Sequence, residues 1–286
     1  MTTKQIIFLN NEYIDYEKAF IHIENRGFQL GDGIYEVVLY ENNRLIDFDG
    51  HIQRLFRSAD RINLKIEQNA EQFKEIFLNL LQKNQQKIGA IYIQITRGDG
   101  PRIQNMPDTY QPTVIIITKP YKAIKKQDLD NGFSAITHED IRWHNCDIKS
   151  ISLLANTTLK QKAHSQNCTE AILIRDNIIT EGSFSNVFII KNEEIITKGA
   201  DKRILKGITR DRIIKLAQEN KIKVTQREFS REELLDADEV FVTSSTLKIR
   251  PITTIDNVKI GSGKTGKITQ KLIKIYKNFI ENYSEN

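Results

Sequence analysis

The sequence predicts an α+β protein of two domains, and three observations lead there. At 286 residues the chain exceeds what one compact core ordinarily organises. Hydrophobic residues at 39% and charged residues at 28% are a globular balance, which excludes a mainly disordered chain and leaves enough apolar surface for a sizeable core. Alternating strand-like runs and helically spaced apolar residues are mixed in both halves.

The elements read in order as follows. Gln5 to Leu9 and Glu12 to Tyr16 flank an Asn10-Asn11 turn, and Glu36 to Tyr40 and Arg44 to Phe48 flank Asn42-Asn43, so two hairpins open the chain. Asp49 is placed to cap a helix whose apolar residues Ile52, Leu55, Phe56, Ala59 and Ile62 keep helical spacing, and Phe73, Ile76, Phe77, Leu80 and Leu81 repeat the pattern. β-branched runs return at Ala90 to Arg97 and Thr113 to Thr118, closing a first domain expected over 1–119. A linker is expected at 120–123, in Lys119-Pro120-Tyr121-Lys122 and the residue after it, and a second domain over 124–286. In that half strands are expected near Phe133 to Thr137, Ala171 to Arg175, Ile178 to Glu181, Asn186 to Ile190 and Glu239 to Thr243. Helices are expected near Ser152 to Gln166, Thr209 to Asn220 and Lys264 to Asn282. Ser230-Arg231-Glu232-Glu233 is a capping box opening a short helix.

Composition narrows the function. The net charge of +5 invites a nucleic-acid reading, but basic and acidic residues are interleaved along most of the chain. The richest basic stretch, Lys264, Lys267, Lys271 and Lys274, shares its helix with an apolar stripe of Ile268, Leu272, Ile275 and Phe279 and reads as a solvated face. No apolar run approaches the roughly 20 residues that cross a bilayer. The N-terminus shows no long apolar core and no small-residue cleavage site, so a cytoplasmic location is expected. Cys146 and Cys168 are too few for a disulfide framework or a metal cluster, and both are expected to be reduced structural thiols. No metal site is expected.

Candidate chemistry gathers in five places. A lysine anchors a carbonyl group covalently when its amine loses its proton, and Lys149 stands in Asp147-Ile148-Lys149-Ser150 just before an apolar helix. Glu181 ends a short strand in Thr180-Glu181-Gly182-Ser183-Phe184-Ser185-Asn186, where a carboxylate could meet a cationic ring nitrogen and glycine lets backbone approach a flat ring. Phosphate calls for helix N-termini, hydroxyls and an arginine. Lys206-Gly207-Ile208-Thr209-Arg210 opens a helix, Thr243-Ser244-Ser245-Thr246 follows a strand with hydroxyls in succession, and Arg54 could add charge. Each feature alone has an ordinary counterpart: a surface lysine, a turn, a helix cap, an ion-pair partner.

Taken together, the order and content of the motifs resemble the fold-type IV pyridoxal-phosphate enzymes. That family contains the D-amino acid aminotransferases, the branched-chain aminotransferases and the aminodeoxychorismate lyases. The resemblance covers nearly the whole chain. It is carried by Arg26-Gly27-Phe28-Gln29-Leu30-Gly31-Asp32-Gly33-Ile34-Tyr35-Glu36, by His51 to Leu55, by Thr96-Arg97-Gly98 with Pro101-Arg102, and by Asp140 to Trp143 with Cys146 to Ser150. Glu181 to Phe188 and Ile204 to Arg210 complete it.

The resemblance implies a two-domain fold with the cofactor site between the domains. It implies pyridoxal 5'-phosphate carried covalently by Lys149, the catalytic residue, whose freed amine moves the substrate's α-proton. Glu181 would pair with the pyridine nitrogen and Arg142 would lie near the ring hydroxyl. Arg54, Ile208, Thr209, Ser244 and Ser245 would bind phosphate. Within the family, the Arg142-Trp143 and Cys146-to-Ser150 segments and Ser183 to Asn186 are most similar to D-amino acid aminotransferases. This implies transfer of an amino group from a D-amino acid such as D-alanine to 2-oxoglutarate. Tyr35 and Arg102 would then bind the substrate carboxylate, the arginine reaching across a homodimer.

Two departures bear on that pocket. Gln104 stands close to Arg102 where those enzymes commonly have histidine, and Phe184 stands where a smaller residue is usual. A branched-chain L-amino acid aminotransferase is the alternative, then an aminodeoxychorismate lyase. Outside catalysis, the alternatives are a silent binding protein on the same fold and a basic nucleic-acid binder.

Overall fold

The computed structural model describes residues 5–121 and 124–284. These divide into two compact units, and the division is not a single cut. One unit comprises the described residues of 1–122, 148–152 and 283–286, the other those of 123–147 and 153–282.

In the first unit the elements run β1 (Ile6–Leu9), β2 (Glu12–Asp15), α1 (Arg26–Leu30), β3 (Gly33–Glu41), β4 (Arg44–Leu45), α2 (Phe48–Arg61), α3 (Ala70–Asn84), β5 (Ile88–Thr96) and β6 (Thr113–Pro120). Among the described residues the strands form one antiparallel sheet in the order β2-β1-β6-β5-β3-β4. Both expected hairpins close on Asn pairs with positive φ, 48° and 72° at Asn10-Asn11 and 51° and 61° at Asn42-Asn43, the backbone that a tight two-residue hairpin turn requires. Helices α2 and α3 bury Ile52, Leu55, Ala59, Phe73, Phe77, Leu80 and Leu81 against Val38, Ile91, Ile93 and Ile116 of the sheet. Each such side chain contributes about 1.5–3 kcal/mol relative to exposure.

The start of α2 differs from expectation. Asp47 rather than Asp49 occupies the N-cap, with φ 56° and no capping side-chain bond, and its N–H donates to the Tyr283 hydroxyl at 3.0 Å. Asp49 lies inside the first turn, where its charge faces the positive end of the helix dipole.

The second unit runs α4 (Lys126–Asn131), β7 (Phe133–Glu139), α5 (Leu154–Ser165), β8 (Glu170–Arg175), β9 (Ile178–Gly182), β10 (Asn186–Lys191), β11 (Glu194–Thr197), α6 (Ile208–Glu219), β12 (Val224–Gln226), α7 (Arg231–Leu235), β13 (Glu239–Ser244), β14 (Lys248–Ile255), β15 (Val258–Lys259) and α8 (Lys267–Glu281). Its sheet has the order β12-β11-β10-β13-β14-β7-β8-β9, with β15 on β14. The Ser230 capping box is present as both reciprocal bonds.

Strand β14 escapes the sequence reading because Pro251 interrupts its pattern. Its register explains the tolerance: Pro251 pairs with Phe241 of β13, while pairing with β7 begins at Ile252. On α8 the buried stripe is Thr269, Leu272, Tyr276 and Ile280. Of the expected stripe only Leu272 is fully buried, with Ile268, Ile275 and Phe279 at its half-buried rim.

Of the expected linker, Pro120 is the last residue of β6, and Lys122 and Ala123 lie outside the described residues. The segment carrying Lys149, expected in the second domain, groups with the first unit. The Tyr35 N–H of β3 donates to the Lys149 carbonyl at 3.0 Å, the Ile151 N–H donates to Gly33 at 3.1 Å, and Ile34 bridges Ser150.

Candidate active site

In the first unit Tyr35, Arg54 and Lys149 gather about β3. Lys149 lies beside this strand with its backbone N–H on the Ser58 hydroxyl of α2 at 3.2 Å. Its ammonium sits over the Tyr35 ring, 4.1 Å from the centroid. No carboxylate pairs with Nζ among the described residues. Tyr35 in turn packs against Tyr92, with ring centroids 5.7 Å apart.

The next residue of β3, Glu36, points into the interior. It accepts from Arg54 Nε at 2.6 Å and Nη2 at 2.9 Å, and its Oε2 lies 2.8 Å from His51 Nδ1. Burial pushes the Glu36 carboxyl up, but the Arg54 guanidinium and then His51 overcome it and hold the group far below the ordinary carboxylate range. Burial also holds His51 below its ordinary value in spite of Glu36. The Glu36 fork therefore sets the plane and reach of the Arg54 guanidinium.

Arg102 and Gln104 lie on the exposed segment between β5 and β6. Arg102 has no ion-pair or hydrogen-bond partner among the described residues.

In the second unit Glu181 is the penultimate residue of β9 and a buried carboxylate. Arg142 Nη1 donates to its Oε1 at 2.5 Å, Asn186 Nδ2 to its Oε2 at 3.0 Å, and the Leu205 N–H reaches both oxygens at 3.1 Å. Arg142 also grips Asp140 in a bidentate pair, Nε to Oδ1 at 2.8 Å and Nη2 to Oδ2 at 2.9 Å. Burial works against the Arg142 cation, but Glu181 and Asp140 more than offset this and raise its pKa. Burial raises Glu181 above its ordinary value against the pull of Arg142 and the Leu205 N–H. A further cation beside the Glu181 carboxylate would stabilise its ionised form.

Local packing fixes this geometry. A Cβ on Gly182 would lie 2.3 Å from Ser185 Oγ and 3.1 Å from Glu170 Cδ. Glu170 is buried and gathers the Ser183 hydroxyl, the Ser183 N–H at 3.1 Å and the Ser185 hydroxyl at 2.7 Å, so the turn between Glu181 and Asn186 has one conformation. Phe184 at its apex points outward, exposed. Helix α6 starts at Ile208 after Gly207 with no side-chain cap, which leaves its first N–H groups open to an anion. A Cβ on Gly207 would meet Asn186 Oδ1 at 2.0 Å, so the start of α6 lies against the Glu181 network. Thr209 is buried. Thr243, across from Asn186 in the β10–β13 register, has a buried hydroxyl without a hydrogen-bond partner. Ser244 and Ser245 follow it, and the Ser244 hydroxyl accepts from the Leu247 N–H at 3.2 Å.

Sequence reasoning quoted Glu36 and Asn186 within motifs without giving them a task. The Leu205 N–H carries no side-chain signal at all. For Glu36 a signal existed, because a buried carboxylate beside an arginine and a histidine requires partners of that kind.

Comparison with known proteins adds four observations. The sequence model of the family described as amino-transferase class IV matches residues 33–255. A D-alanine aminotransferase of Listeria monocytogenes serotype 1/2a (strain 10403S) is 43% identical over 93% of this chain and 93% of its own. One of Bacillus licheniformis is 39% identical over 96% of each. Among solved structures, a branched-chain amino acid aminotransferase of Escherichia coli superposes with a TM-score of 0.93 at 26% identity, covering 99% of this chain and 97% of the other.

Proposed function

The chain belongs to the class IV amino-transferase family, and from that premise we propose that it moves the amino group of a D-amino acid, D-alanine foremost, to 2-oxoglutarate, giving a 2-oxo acid and D-glutamate. The observation that carries the chemistry is Lys149: an amine without a carboxylate partner among the described residues, its backbone tied to β3, its Nζ over Tyr35. The observation that carries the substrate is the full-length likeness to enzymes named D-alanine aminotransferase.

Class IV aminotransferases depend on pyridoxal 5'-phosphate, and the residues of this chain fit that group. Glu181, buried and raised by burial, suits a cationic ring nitrogen. The uncapped start of α6 at Ile208 and Thr209, with the Ser244 and Ser245 hydroxyls, suits phosphate oxygens, and the resemblance implies that Arg54 adds its guanidinium to them. When bound, the cofactor supplies the electron sink that stabilises a carbanion at the substrate α-carbon.

The work of the chain's own residues follows from their chemistry. Lys149 would hold the cofactor covalently, and its free Nζ would take the substrate's α-proton; a positioned base of this kind contributes roughly 10²- to 10⁴-fold. Glu181, kept in place by Asn186 and Leu205, would pair with the ring nitrogen and favour its protonated form. The resemblance puts Arg142 at the ring hydroxyl. Its three guanidinium nitrogens already contact Asp140 and Glu181, which supports in addition a role in charging and orienting Glu181. Tyr35, Arg102 and Gln104 bind the substrate carboxylate, Arg102 from the second subunit of a homodimer. We place the enzyme in the cytoplasm. No helix among the described residues is long and apolar enough to cross a membrane.

The deciding experiment mixes the yellow holoenzyme with D-alanine and, separately, L-leucine, without oxo acid, and follows conversion of the cofactor absorbance to its amine form. Conversion by D-alanine alone is expected. The likeness to branched-chain enzymes favours a second reading, and conversion by L-leucine alone would put it in place of the first. Mixed Lys149→Ala and Arg102→Met chains test the shared site: two variants of low activity should regain activity when they form hybrid dimers.

A further inference from the structure

Residues 101–109 belong to the stretch without helix or strand between β5 and β6, and they carry Arg102 and Gln104. Up to Gly100 the segment is held closely: Asn25 Nδ2 donates to Asp99 at 2.9 Å, the Arg26 N–H to Gly98 at 2.8 Å, and the Gly100 N–H to Glu24 at 3.1 Å. Tyr110 holds its far end through its hydroxyl, which takes the Lys65 N–H at 2.8 Å. Among the described residues one hydrogen bond ties residues 101–109 to the rest of the unit, from Arg26 Nη1 to the Ile103 carbonyl at 2.8 Å. Ile103 is the residue between Arg102 and Gln104.

Arg26 is not a loose surface arginine. It is 3% exposed, and its Nε donates to Asp32 Oδ2 at 2.9 Å. Asp32 also takes Arg97 Nε at 2.9 Å, and Arg97 is fixed to the end of α2 through the Ile62 carbonyl at 2.7 Å and the Asn63 carbonyl at 2.9 Å. The chain of charge-assisted bonds Arg97–Asp32–Arg26 thus runs from α2 to Ile103. Gly98, at φ +86°, has Gln111 O only 1.8 Å from where a Cβ would stand, so the root of the segment has no room to adjust.

We propose that Arg26 is a positioning residue for substrate binding: clamped by Asp32, it holds the Ile103 carbonyl and so aims Arg102 and Gln104. This rests on the reading of Arg102 as a carboxylate ligand. A guanidinium that must meet a planar carboxylate in a two-bond fork loses most of its benefit when its backbone wanders. Removing the clamp therefore weakens substrate binding while leaving the reaction of bound substrate in place.

The test is a double-mutant cycle on the holoenzyme with Arg26→Met, Arg102→Met and the pair, reading KM for D-alanine and 2-oxoglutarate, kcat and cofactor absorbance. Arg26→Met should raise KM about tenfold, the scale of one charge-assisted bond, with kcat and absorbance held. In the Arg102→Met background the same change should add little, because it acts through Arg102. Additive effects, a fall in kcat in step with thermal stability, or an unchanged KM in Arg26→Met would overturn the proposal and leave Arg102 as assigned. An unchanged KM in Arg102→Met would overturn the reading of Arg102 and this inference with it. Should Arg26→Met fail to fold, Asp32→Asn, which frees the Arg26 side chain without removing it, carries the same cycle.

Discussion

Lys149 and Arg142 differ in what their replacement removes. The Lys149 side chain has no hydrogen-bond or ion-pair partner among the described residues, and the bond to Ser58 is made by its backbone N–H, so Lys149→Ala should leave the fold intact and abolish both turnover and borohydride-trapped attachment of the cofactor, read by mass spectrometry. Turnover surviving at wild-type rate would end the assignment. Arg142 is the cation between two buried carboxylates, Asp140 and Glu181. Arg142→Met would leave Glu181 without an ion-pair partner among the described residues and Asp140 with Arg175 alone, at 3.2 Å, and stability in urea should drop by about 3–5 kcal/mol. A loss below about 1 kcal/mol would mean that the two acids take up protons or water in its absence.

At the scale of elements, the start of α6 is governed by Gly207. Any Cβ there meets Asn186 Oδ1 at 2.0 Å, so Gly207→Ala must displace either the helix start or the amide that holds Glu181. Overpacking of this kind costs about 1–3 kcal/mol, and the affinity for pyridoxal 5'-phosphate, followed by fluorescence titration, should fall with it. Gly199 in the preceding loop has nothing within 4 Å of its added carbon. Gly199→Ala is the matched control, expected within about 0.5 kcal/mol of wild type. Equal effects from both glycines would mean that the loop as a whole, and not the α6 contact, is what responds.

For the whole molecule the buried Glu36–His51–Arg54 group sets a direction for stability against pH. The folded pKa of Glu36 lies below its ordinary 4.5, so the unfolded chain binds more protons as pH falls through that value and stability is lost. His51 is also held below its ordinary 6.5, so it resists protonation in the fold while the unfolded chain accepts it. This removes stability in the same sense from a higher pH. Both contributions are fully present above about 6.5. The melting temperature should decline on acidification in two stages. In His51→Gln the upper stage should disappear; a decline that keeps it would assign that stage to another histidine.

How much of this could be read in the sequence depends on the range of the information. Periodic helices such as α2 and α3, Asn-paired hairpins and the Ser230 capping box are legible because each is settled by residues within a turn or two of one another. The chemical class was legible too, because Lys149, Glu181 and the Gly207-to-Arg210 segment stand in an order that few families share. Tertiary structure decided the rest: that β14 runs through Pro251, that Lys149 packs along β3, that Glu36 holds Arg54, and that Arg26 reaches a carbonyl 77 residues away. These are pairings between distant stretches of chain, selected by burial and by the need of buried charges for partners, and no local pattern records which partner each will find.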